Sequence, residues 1–306
     1  MRKKKRSNWI ITRRDFLKKS GLLVSGIPFS SALMTSKAKD ARRKCRFGMV
    51  TDPHFANIET KGSRFYSESL EKMQEFVALM NEEKVDFIME LGDLVNGTED
   101  GSTKHLEHIE AVYQEFNGPR YHVLGNHDLD SLSKEQYLSV VENTGIPNDL
   151  SFYSFDRHGL HFVVLDGTFT SDNTPYKAGN FHWTDANIPA DQLNWLKADL
   201  RNTSYPTIVC IHQLLDSNGD DIKEVNINNA PEVRHVLNQH PQVLAVFQGH
   251  HHTGQYNQIE NIHYYTLKAM VEGSGRQNSS YAIVDVFDDM TLSITGYRKA
   301  VTMDEL

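Results

Sequence analysis

The chain predicts an α/β fold in which two mixed β-sheets pack face to face with helices on the outer faces. Three observations predict it. Five short apolar runs read as β-strands, and each ends directly in a small cluster of Asp, His, Asn or Gly. Between them lie segments whose apolar residues recur at helical spacing. Further strand-like runs, in the middle of the chain and near its carboxyl end, suggest hairpins beside the first set. Helices and sheets in that mixture bury their apolar faces by stacking in layers.

Taken in order, residues 46–51 run into Asp52 and His54. A helix follows over 65–83, with Leu70, Met73, Phe76, Val77 and Met80 on one face. Residues 85–91 run into Gly92 and Asp93, and a helix over 105–116 leads to the run 120–124, which ends in Gly125, Asn126, His127 and Asp128. A helix over 134–143 precedes the paired runs 152–155 and 160–165. Residues 167–189 lack periodicity and read as a loop over the site, with Phe169, Tyr176, Phe181 and Trp183 either stacking on a substrate ring or pinning the loop. A helix over 190–200 precedes the run 207–211, which delivers His212. Another over 231–239 precedes 243–247, which delivers Gly249, His250 and His252. The runs 263–267, 281–287 and 291–297 close the chain as hairpins. In open α/β sheets ligands bind outside the carboxyl ends of strands, so five polar clusters at five strand ends point to one edge.

Carboxylates, imidazoles and one amide oxygen suit borderline or hard divalent cations, and no cysteine joins them. Two such cations roughly 3.5 to 4 Å apart activate water and neutralise phosphoryl oxygens, which is what hydrolysis of a phosphate ester requires. Singly, each cluster is ordinary turn chemistry, because Gly, Asn, Asp and Pro are the residues of tight loops. Their joint occurrence in order, each after a strand-like run, points to a site.

In that order the clusters resemble the calcineurin-like metallophosphoesterase superfamily. Its pattern appears here as Asp52-Pro53-His54, Gly92-Asp93-Leu94-Val95, Gly125-Asn126-His127-Asp128, a lone His212, and Gly249-His250-His251-His252. The resemblance covers nearly all of the chain after residue 45. It implies a four-layer sandwich, with helices on both outer faces. It also implies that Asp52, His54, Asp93 and His252 hold one metal, that Asp93, Asn126, His212 and His250 hold the other, and that Asp93 bridges them. His127 looks like the family's proton donor, with Asp128 expected to orient its ring. His251 is expected to point away from the ligands.

A closer similarity, to the manganese-dependent ADP-ribose and CDP-alcohol diphosphatase branch, rests on Gly62-Ser63-Arg64-Phe65-Tyr66 and on residues 267–273. It implies two divalent ions, manganese first, with iron, zinc or cobalt compatible, and a small phosphorylated substrate. Arg64 is the candidate to grip a second phosphate, against pairing with Glu68 at the surface. A phosphomonoesterase on the same site, or a scaffold that has lost catalysis, are the alternatives. The complete acid and metal set argues against the scaffold.

Residues 2–6 are almost wholly basic, Arg13 and Arg14 follow, and a mildly apolar stretch over 21–34 leads to Ser36-Lys37-Ala38. Residues 1–38 therefore read as a secretory signal that resembles the twin-arginine type, with 39–306 as the phosphoesterase domain. A periplasmic or extracellular enzyme and contact with the twin-arginine export machinery are expected. Ser25, Pro28, Ser30 and Ser31 interrupt the apolar run, short of the roughly 20 residues a membrane span needs, so no stable anchor is expected. A basic surface helix that stays attached is the alternative.

That segment holds 10 of the 32 Lys and Arg and one of the 40 Asp and Glu, leaving 22 against 39 in the remainder. An acidic surface of that kind disfavours nucleic acid as a partner. Cys45 and Cys210 both fall on predicted strands and read as buried thiols, and their spacing specifies no disulfide.

Overall fold

Strand β1 (Arg43–Val50) alternates Cys45, Phe47 and Met49 on one face with Gly48 and Val50 on the other, and that period of two sets the layering of the fold. The computed structural model describes residues 41–98, 102–217 and 225–306. Residues 1–38, read above as a secretory signal resembling the twin-arginine type, lie outside the described residues. After a 3₁₀ turn at Tyr66–Glu68 come α1 (Ser69–Glu83), β2 (Phe87–Glu90), α2 (Ser102–Tyr113), β3 (Arg120–His122) and the short α3 (Lys134–Leu138). The middle of the chain forms β4 (Tyr153–Arg157), β5 (Leu160–Val164), α4 (Ala190–Asn202), β6 (Thr207–Cys210), α5 (Ala230–Asn238) and β7 (Val243–Gln248). Strands β8 (Gln255–Ile259), β9 (Ile262–Thr266), β10 (Ser280–Phe287) and β11 (Leu292–Arg298) complete it.

One sheet has the order β11-β10-β1-β2-β3 and the other β4-β5-β6-β7-β9-β8. Both are mixed. β1, β2 and β3 run parallel while β10 lies antiparallel to β1, and β5, β6, β7 and β9 run parallel with β4 and β8 antiparallel at the edges.

Three apolar clusters fill the three spaces between four layers. Between the sheets lie Phe47, Met49, Phe87 and Met89 from one and Phe162, Val164, Cys210 and Phe247 from the other. Phe87 is central, stacked on Phe47 at 4.9 Å and edge-on to Phe162 at 5.0 Å. The opposite faces of the same strands bury against helices. Ile88 and Ile283 meet Met73, Phe76 and Met80 of α1, while Val163, Val209 and Val246 meet Leu196 of α4 and Val233 and Leu237 of α5. Each such side chain taken from water contributes about 1.5–3 kcal/mol. The expected four-layer sandwich is the one observed.

Three local expectations change. The run near 263–267 forms no pair with 281–287, which lies in the other sheet; it lies between β7 and its hairpin partner β8, a strand whose polar, half-exposed residues hide its pattern at a sheet edge. The helix expected to reach residue 143 stops at Leu138, because Asn143 turns inward to accept hydrogen bonds from the His122 backbone (2.7 Å) and the Tyr153 hydroxyl (3.0 Å). The α2 helix lies three residues earlier than its predicted span at both ends, at Ser102–Tyr113. Cys45 and Cys210 are free and buried. Burial pushes both thiols well above their ordinary range.

Candidate metal centre

The five polar clusters meet where the carboxyl ends of β1, β2 and β3 in one sheet face those of β6 and β7 in the other. Single backbone bonds sew them together. Asp52 N–H donates to Gly92 O (3.0 Å), His54 N–H to Asp93 O (2.9 Å), and Gly249 N–H to His212 O (3.0 Å). Reversing direction so sharply after each strand places Asp52, His54, Asp93 and His250 in the left-handed region, with φ between 46° and 64°. That conformation costs of order 1–3 kcal/mol for a residue with a side chain and persists only where its surroundings hold it. Gly92 (φ 100°) has no room for a Cβ, which would strike the His212 ring, and a Cβ on Gly125 would strike the Asp93 backbone.

The side chains converge on two points, with a third set of His54, Asp93 and His127 lying across them. Asp52, His54 and His252 surround one, and Asp93, His212 and His250 the other, each set with ligand atoms within 4.8 Å of one another. His54 Nε2 and His252 Nε2 stand 3.1 Å apart, His252 Nε2 lies 3.4 Å from Asp52 Oδ1, and His212 Nε2 lies 3.0 Å from Asp93 Oδ2. Two atoms at right angles around an ion, each ~2.1 Å from it, are about 3 Å apart, so these spacings suit a shared cation. Asp93 Oδ2 is also 3.5 Å from His54 Nε2, which puts this one oxygen beside both sets. Asp52 Oδ1, Asn126 Oδ1, His212 Nε2 and His250 Nε2 are buried with no hydrogen-bond partner. Buried polar atoms are ordinarily satisfied, and a cluster of orphaned donors to a metal is what a built cation site leaves when its polar atoms face an ion. The residues therefore fit two divalent cations.

The surrounding atoms prepare them. His252 Nδ1 faces Glu272 Oε1 at 2.6 Å and His212 Nδ1 faces Leu91 O at 2.8 Å, which turns each Nε2 toward the site. The Thr51 hydroxyl donates to Asp52 Oδ2 (2.7 Å), and Glu90 Oε1 accepts from Gly92 N–H (2.7 Å). Burial opposes charge on Asp93, yet His212, His127 and His54 outweigh it and keep the carboxylate ionised. Burial pushes His54 down to about 4 and His250 down to about 3, leaving both rings neutral and able to ligate.

His127 stands beside this set, its ring centroid 4.7 Å from that of His54. The expectation for Asp128 is corrected here. His127–Leu129 is a 3₁₀ turn, in which side chains three apart eclipse, so His127 shares its face with Asp130 and not with Asp128. His127 Nδ1 lies 2.6 Å from Asp130 Oδ2. Asp128 turns inward and accepts backbone N–H bonds from Gly125 (2.9 Å), Asp93 (3.1 Å) and Val95 (3.1 Å), locking two of the site's turns together. Burial disfavours charge on His127, but Asp93 and Asp130 prevail and raise its pKa above 6.5. A ring tied through Nδ1 leaves its Nε2 to face the site.

His251 bonds Thr253 at 2.7 Å, away from the ligands. Arg64 does not pair with Glu68, which instead accepts from Gly275 N–H; its Nε lies 3.8 Å from Glu272 Oε1. Asp130 and Glu272 were both missed in the sequence. Asp130 had a local signal in its three-residue offset from His127, and Glu272 lies within the singled-out segment 267–273.

A family model described as calcineurin-like phosphoesterase matches residues 45–254. The chain belongs to that family. This calcineurin-like phosphoesterase is a metal-dependent hydrolase of phosphoric esters, and its donor set suits the two-metal site of the family. It is 27% identical to a manganese-dependent ADP-ribose/CDP-alcohol diphosphatase of Arabidopsis thaliana, over 84% of this chain and 96% of that one. It is 25% identical to a 3',5'-cyclic-nucleotide phosphodiesterase of a Nostoc species, over 76% and 81%. A dimetal phosphatase from Danio rerio superposes with a TM-score of 0.75 at 20% identity, covering 87% of this chain and all of that one.

Proposed function

We propose that this phosphoesterase is a diphosphatase that hydrolyses the anhydride bond of nucleotide diphospho compounds such as ADP-ribose and CDP-alcohols. The observation that carries the reading is the position of Arg64. Its side chain, about a third exposed, sits beside Glu272, which itself holds His252. A guanidinium there can grip a second phosphate beside the one at the ligand set, since Arg binds phosphate oxygens in pairs. The diphosphatase named among its relatives supports the same substrate class. In this reading Asp52, His54, Asp93 and His252 hold one cation, and Asp93, Asn126, His212 and His250 the other. Manganese is the first choice on the same support, and iron, zinc or cobalt suit the donors.

When bound, the cation pair makes water nucleophilic near neutral pH and neutralises phosphoryl charge. The chain's own groups do the rest. Asp93 spans the two sets and orients His127 by accepting its backbone N–H (2.7 Å). His127 gives its Nε2 proton to the departing oxygen as the phosphorus–oxygen bond breaks, and Asp130 stabilises the ring's charge. Arg64 holds the phosphate that leaves.

The test is a hydrolysis panel with manganese, comparing ADP-ribose and CDP-choline with phosphomonoesters and 3',5'-cyclic nucleotides. The diphospho compounds should lead, and Arg64→Ala should lower kcat/KM for them while sparing a one-phosphate diester. Equal effects on both classes overturn the Arg64 role. Preference for cyclic nucleotides, the second reading raised by the Nostoc relative, or for monoesters would replace the diphosphatase assignment.

The proposal extends to export, resting on Arg13 and Arg14 ahead of an apolar stretch. Changing both to Lys should leave precursor in the cytoplasm, since such a signal is read by a receptor. Mature protein outside the cytoplasm in that variant would refute it. Among the described residues no helix is long and apolar enough to cross a membrane.

A further inference from the structure

We propose that Trp183 and Arg64 fix the direction in which a nucleotide lies across the site, with the base stacked on Trp183 and the phosphorus nearer the base attacked. The proposal rests on the diphosphatase reading above and adds which of the two phosphorus atoms reacts.

Four aromatic residues were candidates in the loop over 167–189, and three are engaged. Tyr176 and Phe181 stack on each other at 3.9 Å, with Tyr176 buried and its hydroxyl donating to Asp185 O (2.7 Å). Phe169 lies under the Lys134 ammonium at 3.4 Å. Trp183 alone is exposed, at 39%, and its ring stands 5.9 Å from that of His250. The loop beneath it is fixed, because Asp185 accepts from Ser171 N–H (3.0 Å) and Asn228 Nδ2 (2.8 Å) and Ala186 pairs with Ile227. A large aromatic side chain exposed beside the ligand set, with His182 and His250 each 5.9 Å from it, can serve as a stacking platform for a planar ring, and stacking accepts any base.

The opposite end of the site carries different chemistry. His252 belongs to the other ligand set, Glu272 holds it at 2.6 Å, and Arg64 lies beside Glu272. His127 lies against His54 and also beside Asp93, which accepts its backbone N–H at 2.7 Å. Trp183 thus flanks the His212 and His250 end, whereas the phosphate grip flanks the His54 and His252 end and the proton donor stands between them, beside His54 and Asp93. A nucleotide with its base on Trp183 places its nearer phosphorus over the ligands and its farther phosphate at Arg64. The water oxygen, having released a proton to solvent, then bonds to the nearer phosphorus, the bond to the bridging oxygen breaks with its electron pair going to that oxygen, and His127 protonates it. The products are a nucleoside 5'-monophosphate and the phosphorylated remainder.

Cleavage of ADP-ribose in ¹⁸O-water should put the label in AMP, and label in ribose 5-phosphate overturns the orientation. The ratio of kcat/KM for ADP-ribose over a dialkyl pyrophosphate should fall about tenfold in Trp183→Ala and less than about threefold in Trp183→Phe. An unchanged ratio in Trp183→Ala overturns the stacking role. AMP should quench the tryptophan fluorescence of the wild-type protein, and ribose 5-phosphate should not. Quenching retained in Trp183→Phe counts against the proposal. If the wild-type protein cleaves no diphospho compound, the diphosphatase reading and the assigned direction of attack fall together, and the quenching comparison still decides whether a base stacks on Trp183.

Discussion

Asp130 Oδ2 lies 2.6 Å from His127 Nδ1, and this pair, three residues apart on one 3₁₀ turn, orients the proposed proton donor. His127→Ala should slow hydrolysis roughly 10² to 10⁴ fold for poor leaving groups, with bound metal unchanged. Asp130→Asn should reproduce part of that loss with the same dependence on the leaving group. Rates compared for nitrophenolate and alkoxide leaving groups check it, and equal losses for both would remove His127 from the acid role.

Glu272 should act on metal affinity. Removing an outer carboxylate that orients a ligating imidazole typically weakens binding roughly 10- to 100-fold. Glu272→Gln should raise the manganese Kd by that factor, measured by titration of the metal-free protein. Asp93→Ala should instead abolish tight binding and activity together, because its Oδ2 adjoins both ligand sets.

Asp128 should matter to stability. It is buried and accepts from three backbone N–H groups. Each buried donor left without a partner costs about 1–3 kcal/mol. Asp128→Ala should lower the unfolding free energy by at least about 3 kcal/mol in urea titration. A variant of full stability that lost only its leaving-group dependence would contradict this placement.

His161 gives stability a pH dependence. Its Nδ1 lies 2.7 Å from Asp156 and its Nε2 2.8 Å from Asp199, so both nitrogens donate only when the ring is charged. Burial disfavours that charge, but Asp199 and Asp156 outweigh it and raise the pKa above 6.5. A raised folded value means the contribution is complete below pH ~6.5 and is lost as pH climbs through the higher folded value. Unfolding free energies at saturating metal should therefore fall from pH 6 to pH 9, and the fall should be shallower in His161→Gln. Parallel slopes for the two proteins would rule the contribution out.

Read alone, the sequence determined the order of strands that carry chemistry, the ligand types and the layered α/β class. Each of these is local, because a strand followed at once by a tight polar turn is written in consecutive residues, as at 46–54 and 243–252. The apolar runs 46–51 and 85–91 likewise read as strands from consecutive residues.

Only the tertiary structure decided which residues serve the ligands. Glu272 reaches His252 across 20 residues, and Asp128 turned from the imidazole to the backbone because a 3₁₀ turn, not an extended strand, follows Asn126. The pairing of β9 with β8, and the separation of Trp183 from Phe169, Tyr176 and Phe181, also depend on contacts between distant segments. Composition and spacing register what a residue can do chemically. Burial and direction, which select among those capacities, arise only when the sheets pack and bring the ends of five strands to one place.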